Sequence, residues 1–176
     1  LAWETLDSDQ INDIMAGTNG AVLKLAGGDQ IVLDTARNGT RRRGAADAIS
    51  KTDSAVIFTT TRREAIPGYN TLTTPKARQQ QLVLPDGTRV WLNAASSIRF
   101  PVFFSGNRRV VEITGEAYFE IAPDRAHPFV AKVGDMEGEA LGTHFNIMAY
   151  SDESSVQTTL LEGSVWSRKR WLCFPE

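Results

Sequence analysis

The chain has 176 residues and a mass of 19.3 kDa, enough for one domain or two small ones with a real hydrophobic core. With 41% hydrophobic and 23% charged residues it lies in the globular range, which excludes wholesale disorder, collagen and coiled coil. Lys and Arg number 19 against 21 Asp and Glu, a net charge of −2, so no nucleic-acid partner is expected.

No run approaches the roughly 18 apolar residues of a membrane span, and the N-terminus LAWETLDSDQ lacks the basic start and apolar stretch of a leader. The chain begins without Met, as expected of a processed or excised piece. Ser8 is placed to cap a short helix through Ile11, Ile14 and Met15 before Gly17. AVLKLAGGDQIVLD then reads as a hairpin, and residues 35–47, from Thr35 to Asp47, read as an exposed polar loop leading to the strand run ISKTDSAVIFT. A second break, TRREAIPGYNTLTTPKARQQ, separates a smaller N-terminal lobe from a larger C-terminal one, and Pro75 to Gln81 is a candidate for one helical turn.

QLVLPDGTRVWLN is a hairpin. Pro85 presets φ, Asp86 suits the second turn position, and Gly87 supplies the positive φ that ends a type I turn with a bulge. RVVEITGEAYFEIA reads as the same design, with its turn at Thr114-Gly115. HPFVAKV, the stretch from Leu141 to Tyr150, and VQTTLLEGSVW with a turn at Glu162-Gly163 complete at least four hairpins. The predicted fold is all-β: antiparallel hairpins stacked as a sandwich or solenoid-like β-roll. AVLKLAGGDQIVLD also aligns with QLVLPDGTRVWLN at a shift of 59, matching Leu23 with Leu82, Leu25 with Leu84, Gly28 with Gly87, Ile31 with Val90 and Leu33 with Leu92, while Asp34 falls on Asn93. Both halves therefore start with the same structural unit.

Little in the sequence points to chemistry. His127, His144 and Cys173 lack metal-ligand spacing, and a structural zinc site wants four ligands. Cys173, the single cysteine, can make no internal disulfide, which is compatible with export without requiring it. Glu112, Glu116 and Glu120 cluster as a glycosidase pair would, but Glu112 and Glu120 alternate with Ile113, Phe119 and Ile121 as on the wet face of a half-buried sheet. Ser96, Ser97, Ser105 and Ser164 stand in no nucleophile elbow. Gly27-Gly28-Asp29 is followed by no helix and is no phosphate loop. Arg41-Arg42-Arg43 and Arg168-Lys169-Arg170 read as solvated loop and tail residues. Trp91 and Tyr118 lie opposite in parity to Val90 and Phe119; they fit a second packing layer or, alternatively, an exposed pair that stacks sugars, as in a carbohydrate-binding β module. No catalytic residue, metal or cofactor is predicted, and no enzyme activity.

The ordered phrases LPDGTRVWLNAASSIRFP, RRVVEITGEAYFEIA, HPFVAKV, LGTHFNIMAY and TTLLEGSV strongly resemble the FecR family, anti-sigma regulators of bacterial cell-surface signalling, in wording close to its Bacteroidetes branch. The resemblance covers roughly residues 18–166. It implies a periplasmic sensor or relay domain of a single-pass inner-membrane protein, divided into lobes at about 18–70 and 71–166. Residues 1–17 are then a linker following a membrane helix not in this chain, and residues 167–176 an atypical, truncated or foreign tail. The implied partners are the signalling domain of a TonB-dependent outer-membrane transporter and, through a cytoplasmic segment missing here, an extracytoplasmic-function sigma factor. The family's motifs carry no known catalytic residues, and none is assigned as partner-binding.

Overall fold

The computed structural model describes residues 18–34, 37–43, 47–60, 68–162, 165–167 and 172–175. Period-two sequence builds strands throughout, and among the described residues there is no helix. The strands of the N-terminal part are β1 (Thr18–Asn19), β2 (Val22–Lys24), β3 (Gln30–Val32), β4 (Gly39–Arg43), β5 (Asp47–Lys51), β6 (Ala55–Thr60) and β7 (Tyr69–Thr73). They are followed by β8 (Arg78–Val83), β9 (Arg89–Leu92), β10 (Ser97–Pro101), β11 (Arg109–Glu120), β12 (Phe129–Val133) and β13 (Met136–Ala140). The last are β14 (His144–Ala149), β15 (Gln157–Glu162), β16 (Val165–Ser167) and β17 (Leu172–Pro175).

Two layers result. The front layer runs β3, β2, β7, β10, β11, β12, β13, β16. The back layer runs β4, β5, β6, β8, β9, β11, β14, β15, β17, with β1 beside the start of β8. Most pairs are antiparallel, but β1 with β8, β6 with β8, β11 with β12 and β15 with β17 are parallel. The pairing of Arg109 with Phe129 is a coil of 20 residues: the chain leaves the front layer, crosses the back layer and returns one strand over. Both halves of the predicted description, sandwich and roll, apply. Inward residues of both layers form one core, in which Leu23, Leu72, Ile98 and Phe100 of the front face Leu82, Val90, Phe119 and Phe145 of the back, all fully buried. Phe58 meets Phe100 edge-on at 4.8 Å and Phe119 meets Phe129 at 5.7 Å, each a front-to-back contact.

The turn at Gly87 is as expected: its N–H donates to Leu84 O at 2.9 Å, the Leu84 N–H donates to Thr88 O at 2.8 Å, and φ is 87°. The β2–β3 turn repeats it at the same shift of 59, with Gly28 N–H to Leu25 O and Leu25 N–H to Asp29 O both at 2.8 Å and φ of 91°.

Five readings are corrected. Thr114-Gly115 is no turn, because β11 runs unbroken for 12 residues. Its N-terminal half pairs β10 and β12 while its C-terminal half pairs β9 and β14, so Gly115, at φ 77°, bends the strand from one layer into the other. The inward parity of Val111, Ile113, Ala117 and Phe119 never breaks, which a hairpin turn would have required. The supposed hairpin at Glu162-Gly163 also dissolves: β15 pairs β14 and β17 in the back layer, β16 pairs β13 in the front, and residues 163–164 lie outside the described residues. The polar loop at 35–47 contains β4, which pairs with β5 as an edge strand, where charged residues are tolerated. The break before Gln81 contains β7, a central strand between β2 and β10 whose Asn70 and Leu72 are buried among threonines. Pro75–Arg78 closes a β-turn, Arg78 N–H to Pro75 O at 3.3 Å, with Ala77 at φ 59° before β8, and not a helical one. The proposed helix after Ser8 lies outside the described residues.

Candidate functional site

The outer face of the back layer carries the aromatic pair. Register sets Gln81, Trp91, Tyr118, Asn146 and Thr159 side by side across five strands, and all five are half-buried. The Trp91 and Tyr118 rings lie 5.4 Å apart at 50°, on the face turned away from the core. Burial, with the Glu120 charge adding to it, raises the Tyr118 hydroxyl above its ordinary pKa of 10.0.

The three glutamates do not converge. Four residues along a strand is about 13 Å, beyond the ~5 to 9.5 Å of glycosidase carboxylates, and each has its own partner. Glu112, on the front face, takes both of its bonds from one Arg99 nitrogen at 2.8 and 2.9 Å. Glu116 accepts from Asn93 Nδ2 at 2.6 Å and Asn146 Nδ2 at 2.9 Å, and Glu120 pairs with Arg89 at 2.8 Å. On the front face Arg99 also lies over the Tyr69 ring at 3.7 Å, and Arg108 and Lys132 converge on Glu137 at 3.2 and 3.0 Å. Those cations, the Lys132 hydrogen bond first, hold the Glu137 carboxyl below its ordinary value.

Arg109 is the residue sequence reading passed over. It is 3% exposed, with Nη1 donating to Asp86 Oδ2 at 2.7 Å and Ala122 O at 2.9 Å, and Nε to His127 O at 2.7 Å. Asp86 also accepts from Thr88 N at 3.0 Å and Thr88 Oγ1 at 2.8 Å, and Ala122 N donates to Thr88 Oγ1 at 3.2 Å. The β8–β9 turn, the start of β11 and the crossover after β11 thus meet on one buried ion pair. The signal was available: 109 has the inward parity of 111 and 113, and a charge there needs a buried counter-charge.

Ser96 is likewise structural. Its Oγ donates to Ala94 O at 3.0 Å and accepts from Glu116 N at 2.8 Å, and a Cβ on Gly115 would fall 2.5 Å from that oxygen. Ser97 shares a 2.7 Å bond with Thr114, Ser105 is exposed, and Ser164 lies outside the described residues. Neither Ser96 nor Ser97 has a histidine as base. His127 pairs with Asp124 at 2.8 Å in the crossover loop, and that bond lowers the Asp124 pKa. His144 on β14 is half-buried opposite Glu120, and Cys173 lies on β17, two strands across at the level of Ile147. Among the described residues no three His, Cys, Asp or Glu gather as metal ligands. A shallow groove of about 480 Å³ lies at one end between Met136, Tyr150 and Val156. Of the two basic runs, Arg41–Arg43 forms most of β4 and Arg168–Arg170 lies outside the described residues.

Fold and surface together define an all-β domain in which the polar groups with partners serve architecture or one another. The chain belongs to the FecR family: the model described as FecR protein matches residues 70–166, from β7 to β16. That family is regulatory rather than enzymatic. Two crystal structures of a proposed anti-sigma factor from Parabacteroides distasonis ATCC 8503, at 2.50 and 1.65 Å resolution, are similar at 30% identity each. Their TM-scores are 0.54 and 0.52, over 56% and 55% of this chain and 50% of each of theirs, so the chain spans about half their length. No curated protein matches it.

Proposed function

We propose that this chain is the periplasmic sensor or relay part of a transmembrane anti-sigma factor in cell-surface signalling, with residues 18–166 as its β domain and two lobes meeting near residue 70. On this reading a TonB-dependent outer-membrane transporter passes its signal to the domain, which relays it to an extracytoplasmic-function sigma factor through a membrane helix and cytoplasmic segment outside residues 1–176. The observation that carries the reading is the FecR match over the strands that build most of the sandwich; the two anti-sigma relatives support it. No helix among the described residues is long and apolar enough to cross a membrane. The domain acts as a passive relay and does not restrain a sigma factor by itself. Calorimetry with the signalling domain of its cognate transporter tests the receiving role, and a sigma-dependent reporter tests the passive one. No sigma inhibition by this chain is the expected result; strong binding by it assigns the contact surface to residues 18–166, weak binding that strengthens on extending the chain assigns it to a further C-terminal module, and sigma inhibition by this chain alone overturns the relay assignment.

A further inference from the structure

The row Gln81, Trp91, Tyr118, Asn146, Thr159 has a composition that sheet stability alone does not explain. A cross-strand aromatic pair is a common way to hold two strands, and it accounts for Trp91 and Tyr118. It does not account for the Gln81 amide and the Thr159 hydroxyl at the same level on the strands to either side; the Asn146 amide between them gives Nδ2 to Glu116 and has its oxygen and a second N–H besides. Four strand spacings of about 4.8 Å make the row about 19 Å long, the reach of a short oligosaccharide. A pyranose offers an apolar face of C–H groups and a rim of hydroxyls. Half-buried aromatic faces match the first, and side-chain amides, each with donor and acceptor, match the second.

The flanking charges narrow the class of ligand. Arg89 and Glu120 neutralise each other at 2.8 Å on one side, and Glu116 is held by Asn93 and Asn146 on the other. An anionic chain would run against the Glu116 carboxylate, which is held by amides rather than by a cation, whereas a neutral chain leaves both pairings intact. The 50° between the two rings suits successive sugars of a curved chain better than those of a flat one. We infer that the outer face of the back layer is a binding platform for a neutral, curved oligosaccharide, centred on Trp91 and Tyr118 and extended by Gln81, Asn146 and Thr159.

The 176-residue chain, titrated with maltohexaose, cellohexaose and an acidic oligogalacturonate by calorimetry and by amide NMR, tests this. Maltohexaose is expected to bind and to shift the Trp91 indole N–H and the Gln81 and Asn146 side-chain amides, with the acidic chain at least ~10-fold weaker, a difference of about 1.4 kcal/mol. Tyr118→Ala is expected to weaken binding by about tenfold or more, and Gln81→Ala and Thr159→Ala by about threefold each. Arg99→Ala, on the front face, leaves affinity unchanged. Should Tyr118→Ala destabilise the fold, the two end variants still decide the matter, with dichroism and melting as controls. Absence of binding by both neutral chains, or shifts mapping away from this row, overturns the platform; cellohexaose binding as tightly as maltohexaose overturns the curved specificity.

Discussion

The turns of β2–β3 and β8–β9 have the same backbone and different fates. Both close on a glycine at φ near 90° with the same two hydrogen bonds, 59 residues apart. In the first, the residue at the position of Asp86 is Gly27 and that of Thr88 is Asp29, both exposed. In the second, Asp86 and Thr88 turn inward to Arg109 and the crossover, and Thr88 is fully buried. One turn only reverses the chain, whereas the other is a junction. Backbone geometry is therefore set by the glycine, and the role by what the neighbouring side chains can reach.

Removing the counter-charge should separate the two turns most. Asp86→Ala leaves the Arg109 guanidinium buried without its carboxylate and is expected to lower stability by about 3 to 5 kcal/mol, read by urea denaturation. The double variant Asp86→Leu with Arg109→Met should recover much of that loss; equal loss in the single and double variants would show that the charge pair is not the cause. Gly87→Val and Gly28→Val both place a β-branched residue at positive φ, and each should lower stability by about 1 to 3 kcal/mol. Similar losses at both sites would show that the backbone is the shared element; loss at Gly87 alone would tie the effect to the junction.

Thr88→Ala removes the hydroxyl that links Asp86 to the crossover, for about 1 to 2 kcal/mol, whereas Asp29→Ala at the matching site should stay within ~0.5 kcal/mol. The smallest effect gives a surface yardstick for the buried pair. Glu137 has its folded pKa lowered by Lys132 and Arg108, so its contribution is full above the ordinary value of 4.5 and lost as pH falls through the lower, folded value. Being partly exposed, the pair should contribute well under ~1 kcal/mol. Wild type should thus lose slightly more stability than Glu137→Gln between neutral and acid pH, and less in high salt. A larger loss in the variant would reverse the sign assigned here.

Much of the strand content was legible because half-buried strands alternate: β8, β9 and β11 show it in Leu82, Val90 and Phe119. Elements were lost where alternation is carried by small polar residues. In β7, Tyr-Asn-Thr-Leu-Thr shows one apolar inward residue, Leu72, and its central place depends on neighbours distant in sequence. Layer membership was equally hidden, since Gly115 looks the same in a turn and in a bend; only the unbroken parity of β11 tells them apart. For the surface, parity put Trp91 and Tyr118 on the face opposite Val90 and Phe119 without saying whether a further layer covers it, while the alignment of Gln81, Asn146 and Thr159 with them required the register of five strands. The Asp86–Arg109 pair joins residues 23 positions apart, and only the inward parity of Arg109 hinted at it.

Strand β11 has a consequence for the order of folding. It hydrogen-bonds β10 and β12 in one layer and β9 and β14 in the other. As the chain emerges from a ribosome, β2–β3 and β8–β9 can form early as local hairpins, yet neither layer can extend across the molecule until β11 arrives. The inward faces of those hairpins, Leu23, Leu82 and Leu92 among them, are only partly covered until then, because Phe119, Phe129 and Phe145 of the same core arrive with β11 or after it. Assembly is gated by one late segment that must close both layers at once, and contacts made across long stretches of chain form slowly. Variants within β11 should therefore slow folding more than they speed unfolding, and the waiting hairpins are where a nascent chain is most exposed to aggregation.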